Sequence, residues 1–182
     1  MQISKISPNL TFGGSIQRTD KGHEYEKTNV AKGWLTGFSV AGALLDFAVE
    51  KGTIGEKLVH GALGVAIAFG LGALIDHWAN KQRGRDADSF AETKKVPEKT
   101  HRGVSICTKI GLIIGSISTL IGYGFLLSKK EAVSTARKFA PLILLPVSVL
   151  TTLVYGLLYD VGVNKFRTQL SQSIRSNNKP NS

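Results

Sequence analysis

The residue types that most often perform chemistry are few in this chain and show no catalytic or metal-binding spacing. The 182 residues include four histidines and one cysteine, Cys107, so a histidine–cysteine zinc site has too few thiolates. The histidines themselves are not spaced as metal ligands. We therefore predict no metal, no other cofactor and no catalytic residue. The histidines are His23, His60, His77 and His101.

Two short motifs resemble functional signatures only in part. Gly37-Phe38-Ser39-Val40-Ala41 stops one residue short of a nucleophile elbow and lies inside an apolar run, where we expect a packing role. Asp86-Ala87-Asp88 is a single D-x-D, which we expect to be a solvated turn in a flexible linker. No P-loop or dinucleotide fingerprint is present. The sequence therefore predicts a protein that is not an enzyme.

The most informative pattern is a segment that occurs twice. Gly72–Arg83 reads GALIDHWANKQR and Gly156–Arg167 reads GLLYDVGVNKFR, with six identities in the frame G-x-L-x-D-x-x-x-N-K-x-R. Each copy lies where an apolar run meets a polar, basic segment. We interpret the copies as the same end of a repeated membrane hairpin, forming either an interface cap or a symmetric gate. The motif residues are Asp76, Asn80, Lys81 and Arg83, and Asp160, Asn164, Lys165 and Arg167.

As a cap, the repeat predicts specific ion pairs. Pseudo-symmetry would bring Asp76 near Lys165 or Arg167, and Asp160 near Lys81 or Arg83. One further acid, Asp46, lies inside an apolar run, where ionisable residues are candidates for function.

Four apolar runs position these residues, and they predict an all-α integral membrane protein. The runs are Trp34–Val49, Val59–Ile75, Ile110–Leu127 and Phe139–Tyr159. The last three approach or exceed the roughly 18–20 residues that cross a bilayer core as a helix, whereas the first is the weakest. Short connections join them into two tandem, glycine-rich hairpins.

Glycines within or beside these runs are expected to let helices pack closely, as in small-xxx-small pairs. These glycines are Gly33, Gly37, Gly42, Gly61, Gly64, Gly70, Gly72, Gly111, Gly115, Gly122 and Gly124.

The remaining segments complete the predicted organisation. We expect a largely disordered N-terminal segment (1–32), hairpins at 33–78 and 110–160, and a basic, solvated linker (79–109). The last segment (161–182) combines an amphipathic helix on the membrane surface, with Val163, Phe166, Leu170 and Ile174 on one face, and a polar tail.

The distribution of basic residues predicts the orientation. Seventeen Lys and Arg lie in the termini and the central segment, against six in the two short connections, which places both termini in the cytoplasm. The net charge of +10 follows this membrane pattern, and aromatic residues are few near the basic ones, so we predict no nucleic-acid partner.

Function is predicted only in outline. We expect helix packing, self-association through glycine faces, and contact of the cytoplasmic basic segments with lipid or a protein partner. Residues 1–19 contain no acid and resemble the export signals of bacterial secreted effectors. The paired spans resemble the hydropathy pattern of bacterial inclusion-membrane proteins. This resemblance implies an alternative, an effector that inserts into a host membrane. A small channel or transporter using Asp46 is a further alternative.

Overall fold

The structure is a computed structural model that describes residues 15–49, 52–128 and 135–177. Two short strands precede four helices. The predicted disorder of residues 1–14 and the polar tail from residue 178 lie outside the described residues. The elements are β1 (Ile16–Arg18), β2 (Glu24–Glu26), α1 (Val30–Val49), α2 (Ile54–Thr93), α3 (Arg102–Ser128) and α4 (Thr135–Asn177).

Three of the helices are long and apolar enough to cross a membrane. They are α2, α3 and the Pro141–Ile174 part of α4, and only 6–11% of their most apolar windows is buried inside the protein. Most of this apolar surface is therefore not covered by the rest of the protein. The first predicted span, α1, carries Lys32 and Asp46 and is not one of the three.

The chain forms two compact units. The first combines Met1–Lys99 with Val161–Ser182, and the second is Thr100–Asp160. In the first unit, α1 packs along α2, and Gly61 lies close to Ala43, because a Cβ at position 61 would be 3.1 Å from the Ala43 Cβ. A Thr53–Glu56 capping box satisfies the first amides of α2.

The central segment is not the solvated linker that its composition predicts. Helix α2 continues through it to Thr93, and the chain leaves the helix at Lys94, whose left-handed φ of 57° ends it. Arg83, Asp86 and Ala87 are buried. The polar side chains of Arg83 and Asp86 can be buried because other parts of the first unit supply hydrogen-bond partners in place of water.

The C-terminal amphipathic stripe also has a different role from the predicted one. Residues 161–177 continue α4, and Val163, Phe166 and Leu170 are at most 3% exposed. Phe166 and Leu170 form a small core with Ala87, flanked by partly buried Tyr25, Phe90 and Val96. The stripe therefore packs against protein and is not a lipid-facing surface.

Residues 15–32 are ordered, contrary to the prediction of a largely disordered segment. Strands β1 and β2 pair antiparallel around a turn at Gly22, whose φ of 85° favours glycine. His23 and Thr19 bind Asp88 on α2, at 2.8 and 2.6 Å. The strands, α2 from residue 76 and α4 from residue 161 to 174 form what we call the polar platform.

Only some of the predicted packing glycines lie at helix contacts. A Cβ built on Gly111 would overlap the Thr152 hydroxyl and lie 2.9 Å from the Val149 Cα, within the second unit. The others near a neighbouring element are Gly61, Gly64, Gly72, Gly115 and Gly122. Five have nothing within 4 Å of such a Cβ, namely Gly33, Gly37, Gly42, Gly70 and Gly124.

This division yields a matched test on one helix. Gly72→Ala should lower the free energy of unfolding by about 1–3 kcal/mol, because its Cβ would lie 2.5 Å from the Lys32 Cα, a backbone atom that cannot move freely. Gly70→Ala, two residues away in open space, should cause no loss. Unfolding in mixed micelles, followed by circular dichroism, measures both. Equal effects would show that close approach at Gly72 does not matter.

Candidate functional site

The repeated aspartate at position 76 caps a neighbouring helix. Helix α1 begins at Val30, and its first amides have no acceptor within the helix. Asp76 Oδ1 accepts the Ala31 N–H at 3.0 Å, and Oδ2 accepts the Lys32 N–H at 2.8 Å. The carboxylate is only 4% exposed, and this burial raises the pKa of Asp76, whereas the two amides at the positive end of the α1 dipole favour its charged form.

Residues one turn to either side of Asp76 extend this contact. Gly72 lets the first turn of α1 approach the α2 backbone. Asn80 accepts the Thr28 N–H at 2.7 Å and donates to the Thr28 carbonyl at 3.1 Å. Residues 72, 76 and 80 recur every four positions and therefore share a face of α2. Together they hold the segment that leads into α1.

Arg83 continues the same face in the polar platform, beyond the apolar part of α2. Its guanidinium donates to the Glu26 carbonyl at 2.6 Å and the Gly162 carbonyl at 2.7 Å, and lies 5.6 Å from the centre of the Phe166 ring. Burial lowers the pKa of Arg83 to about 10, so the group stays charged at neutral pH. We call Gly72, Asp76, Asn80 and Arg83 the helix-start clamp.

The second copy of the motif repeats this geometry in the second unit. Asp160 Oδ1 and Oδ2 accept the N–H groups of Gly103 and Val104, both at 2.9 Å. A Cβ on Gly156 would lie 2.6 Å from the Gly103 carbonyl oxygen. Because α3 begins at Arg102, both aspartates bind the second and third amides of a helix. The repeat therefore preserves a structural contact.

The predicted pairing of Asp76 with Arg167 is wrong. Arg167 instead forms a two-bond ion pair with Asp86, at 2.6 and 3.1 Å, and donates to the Glu98 carbonyl. The side chains of Arg167 and Asp86 are 11% and 5% exposed. The first acid of the D-x-D motif, predicted to lie in a solvated turn, thus forms a largely buried salt bridge. Lys81 is exposed and Lys165 is half-buried.

A second repeated signal marks the segments that the clamp holds. Glu26-Lys27-Thr28 recurs 72 residues later as Glu98-Lys99-Thr100. The carbonyls of Glu26 and Glu98 accept from Arg83 and Arg167, respectively, so these positions correspond. The clamp residues recur after 84 residues, from Gly72 to Gly156. The two parts of the repeat are thus separated by different spacings, 72 and 84 residues, and a single spacing does not align both.

A cleft of about 620 Å³ opens beside the clamp in the first unit. Three lysines, Lys27, Lys32 and Lys81, contribute to its walls. None of them forms an ion pair within the described ranges. The other lining residues are Gln17, Tyr25, Asn29, Ala73, Asp76, His77 and Asn80. The cleft is therefore a basic surface at the end of the apolar part of α2.

The other candidate residues are dispersed. Ser39 packs near Gly64, 3.5 Å from a Cβ built there, which agrees with a packing role for its motif. Asp46 is exposed on α1. The hydrogen bond from Thr19 and then that with His23 hold the pKa of Asp88 below its usual value, and these bonds fix the strands to α2. In the part of the chain described, no group of three potential metal ligands occurs.

The carboxylates of Asp76 and Asp160 both contact backbone amides. Such contacts satisfy the first amides of a helix and stabilise its start. No protein-family model, curated protein or solved structure matches this chain.

The clamp makes a direct prediction for Asp76 and Asp160. Replacing either by Asn removes the charge and leaves one acceptor oxygen for two amides, so the free energy of unfolding should fall by about 1–3 kcal/mol. Asp46→Asn, at an exposed position on α1, should cause no loss. Chemical unfolding in mixed micelles measures all three. A loss for Asp46→Asn as large as that for Asp76→Asn would contradict the clamp.

The Asp86–Arg167 pair predicts energetic coupling. In a double-mutant cycle of Asp86→Asn and Arg167→Gln, the coupling energy should be about 1–3 kcal/mol, because each single change leaves a largely buried group without its ionic partner. The cycle of Asp76→Asn with Arg167→Gln is the control and should be additive within about 0.5 kcal/mol. Coupling only in the control would restore the pairing that the repeat predicts.

Proposed function

We propose that this chain is a four-span integral membrane protein built from two glycine-rich hairpins, and that it acts by contact rather than by catalysis. Both termini and the polar platform lie on the cytoplasmic side. The platform meets a protein partner or lipid, and the apolar and glycine faces pack within the bilayer. The observation that carries this proposal is the ordered polar platform at one end of an apolar hairpin.

Helix α1 is the span that needs separate support. Its 20 residues give a length of about 30 Å, close to the thickness of the bilayer core. It packs along α2, and Asp76 caps its start just beyond the apolar run that ends at Ile75. Asp46 lies three residues from the other end of α1, near the opposite surface, where an acid is less costly.

The platform supports a role in binding lipid or protein because it combines a buried polar interior with an exposed basic surface. Buried polar groups fix its interior, as Arg83 and the Asp86–Arg167 pair illustrate. Its surface carries exposed basic side chains, including Lys81 and Arg85. A rigid interior with a basic exterior is suited to anionic lipid or an acidic protein surface.

Three single-cysteine variants in a Cys107→Ser background test the topology. They are Asp20→Cys in the β-turn, Gly55→Cys at the start of α2 and Ser89→Cys near its end, all at exposed positions. We expect an impermeant maleimide to label positions 20 and 89 from the cytoplasmic side and position 55 from the opposite side. Sealed right-side-out and inverted vesicles provide the two sides, and detergent-treated vesicles are the labelling control.

The outcomes distinguish each part of the proposal. Labelling of positions 55 and 89 from the same side would show that α2 does not cross the membrane. Labelling of positions 20 and 89 from opposite sides would show that α1 does not cross it. A thiol-linked photocrosslinker on the Ser89→Cys variant should capture a partner or lipid, and the same reagent on the Gly55→Cys variant supplies the background. Ion flux in liposomes that disappears in Asp46→Asn would favour a transporter and contradict function by contact.

A further inference from the structure

The lysine cleft, lined by Lys27, Lys32 and Lys81, is a cationic surface, and none of these lysines forms an ion pair in the part of the chain that the structure describes. The acid among its lining residues is Asp76, whose two oxygens already accept backbone amides. Three lysines and one carboxylate leave a net charge of about +2 on its walls. The cleft volume of about 620 Å³ suits a small ligand or a lipid headgroup.

The position of the cleft relates it to a membrane surface. Ala73 lines the cleft, and the apolar run of α2 ends at Ile75. The Lys32 ammonium lies 5.3 Å from the centre of the Phe69 ring, one turn farther into the apolar run. A cation beside exposed apolar side chains matches the boundary where lipid phosphate and acyl chain meet.

The internal repeat shows which cations the clamp does not require. Lys32 corresponds to Val104, because Asp76 and Asp160 bind the amides of these two residues. His77, which follows Asp76, corresponds to Val161, which follows Asp160. Asp160 therefore caps α3 although the residues at both corresponding positions, Val104 and Val161, are apolar. The basic side chains of Lys32 and His77 occur only in the first copy, and helix capping does not require them.

We propose that the lysine cleft binds the phosphate of a phosphomonoester lipid, with the acyl chains lying on the exposed apolar face of α2. A phosphomonoester carries about −1.5 to −2 charges at neutral pH and three acceptor oxygens, which match three ammonium donors. The proposal rests on the membrane topology given above and names the lipid class that the platform would bind. Asn29 and Tyr25 supply additional polar groups on the walls.

The test uses the full-length protein in neutral detergent, titrated with short-chain phosphatidic acid. The readout is the apparent Kd from thermophoresis. We expect Lys27→Gln/Lys32→Gln/Lys81→Gln to weaken binding at least about tenfold, since each lysine near an anionic lipid surface strengthens binding by about fivefold. The matched control removes the same charge outside the cleft, with Lys94→Gln/Lys95→Gln/Lys99→Gln, and should leave the Kd within about twofold. All three control lysines are exposed.

Two further ligands separate the possible sources of the phosphate. Glycerol phosphate should bind at least about tenfold more weakly than phosphatidic acid, because it lacks acyl chains. Equal binding would assign the cleft to a soluble phosphate and overturn the lipid proposal. Short-chain phosphatidylserine carries a phosphodiester, and equal affinity for it would reduce the interaction to general surface charge and also overturn the proposal.

The lysine variants decide where the lipid binds. Equal weakening by the cleft and control triples would show that the cleft is not the site. Lys81→Gln alone, at an exposed wall position, keeps the test available if the triple variant fails to fold, and it should weaken binding measurably. Cysteine labelling reports the topology independently, so failed lipid binding with correct topology rejects only this inference.

Discussion

A helix needs hydrogen-bond acceptors for its first amides, which have none within the helix. In this protein a carboxylate from the next helix supplies them, through Asp76 for α1 and Asp160 for α3. The same arrangement fixes the angle and register of each helix pair, because the acceptor and the amides are on different helices. Gly72 and Gly156 make it sterically possible, since a side chain at either position would collide with the backbone being capped. Each helix pair therefore depends on a joint requirement, a small residue for approach and an acid one turn later.

The same logic extends into the polar platform. Arg83 and Arg167 each donate to a backbone carbonyl in the segment before a helix, at Glu26 and Glu98. Arg167 also neutralises Asp86, whereas Arg83 reaches the Gly162 carbonyl. Burying these cations has a desolvation cost, which hydrogen bonds to the remaining donors offset. The result is a polar region held together mainly by specific bonds, with only a small apolar core.

The sequence predicts the apolar helices well and their polar continuations poorly. Hydropathy locates α2, α3 and α4, because lipid-facing helices must be apolar over a defined length. It cannot show that α2 continues to Thr93, since Arg83 and Asp86 become buried only through partners far along the chain. The repeated aspartates are visible as identities, but their partners are backbone amides, which leave no side-chain signature. Glycine content likewise does not distinguish Gly72, at a close contact, from Gly70, in open space.

The continuity of α2 through the polar platform has a mechanical consequence. Its 40 residues form a rod of about 60 Å, roughly twice the thickness of a bilayer core. Since no break in this helix separates the apolar half from the polar half, the platform cannot swing independently of the span. In the proposed topology, tilting the span to match a thinner bilayer would lower the platform toward the lipid surface, and a thicker bilayer would raise it. Bilayer thickness would thus set how far the platform stands from the membrane.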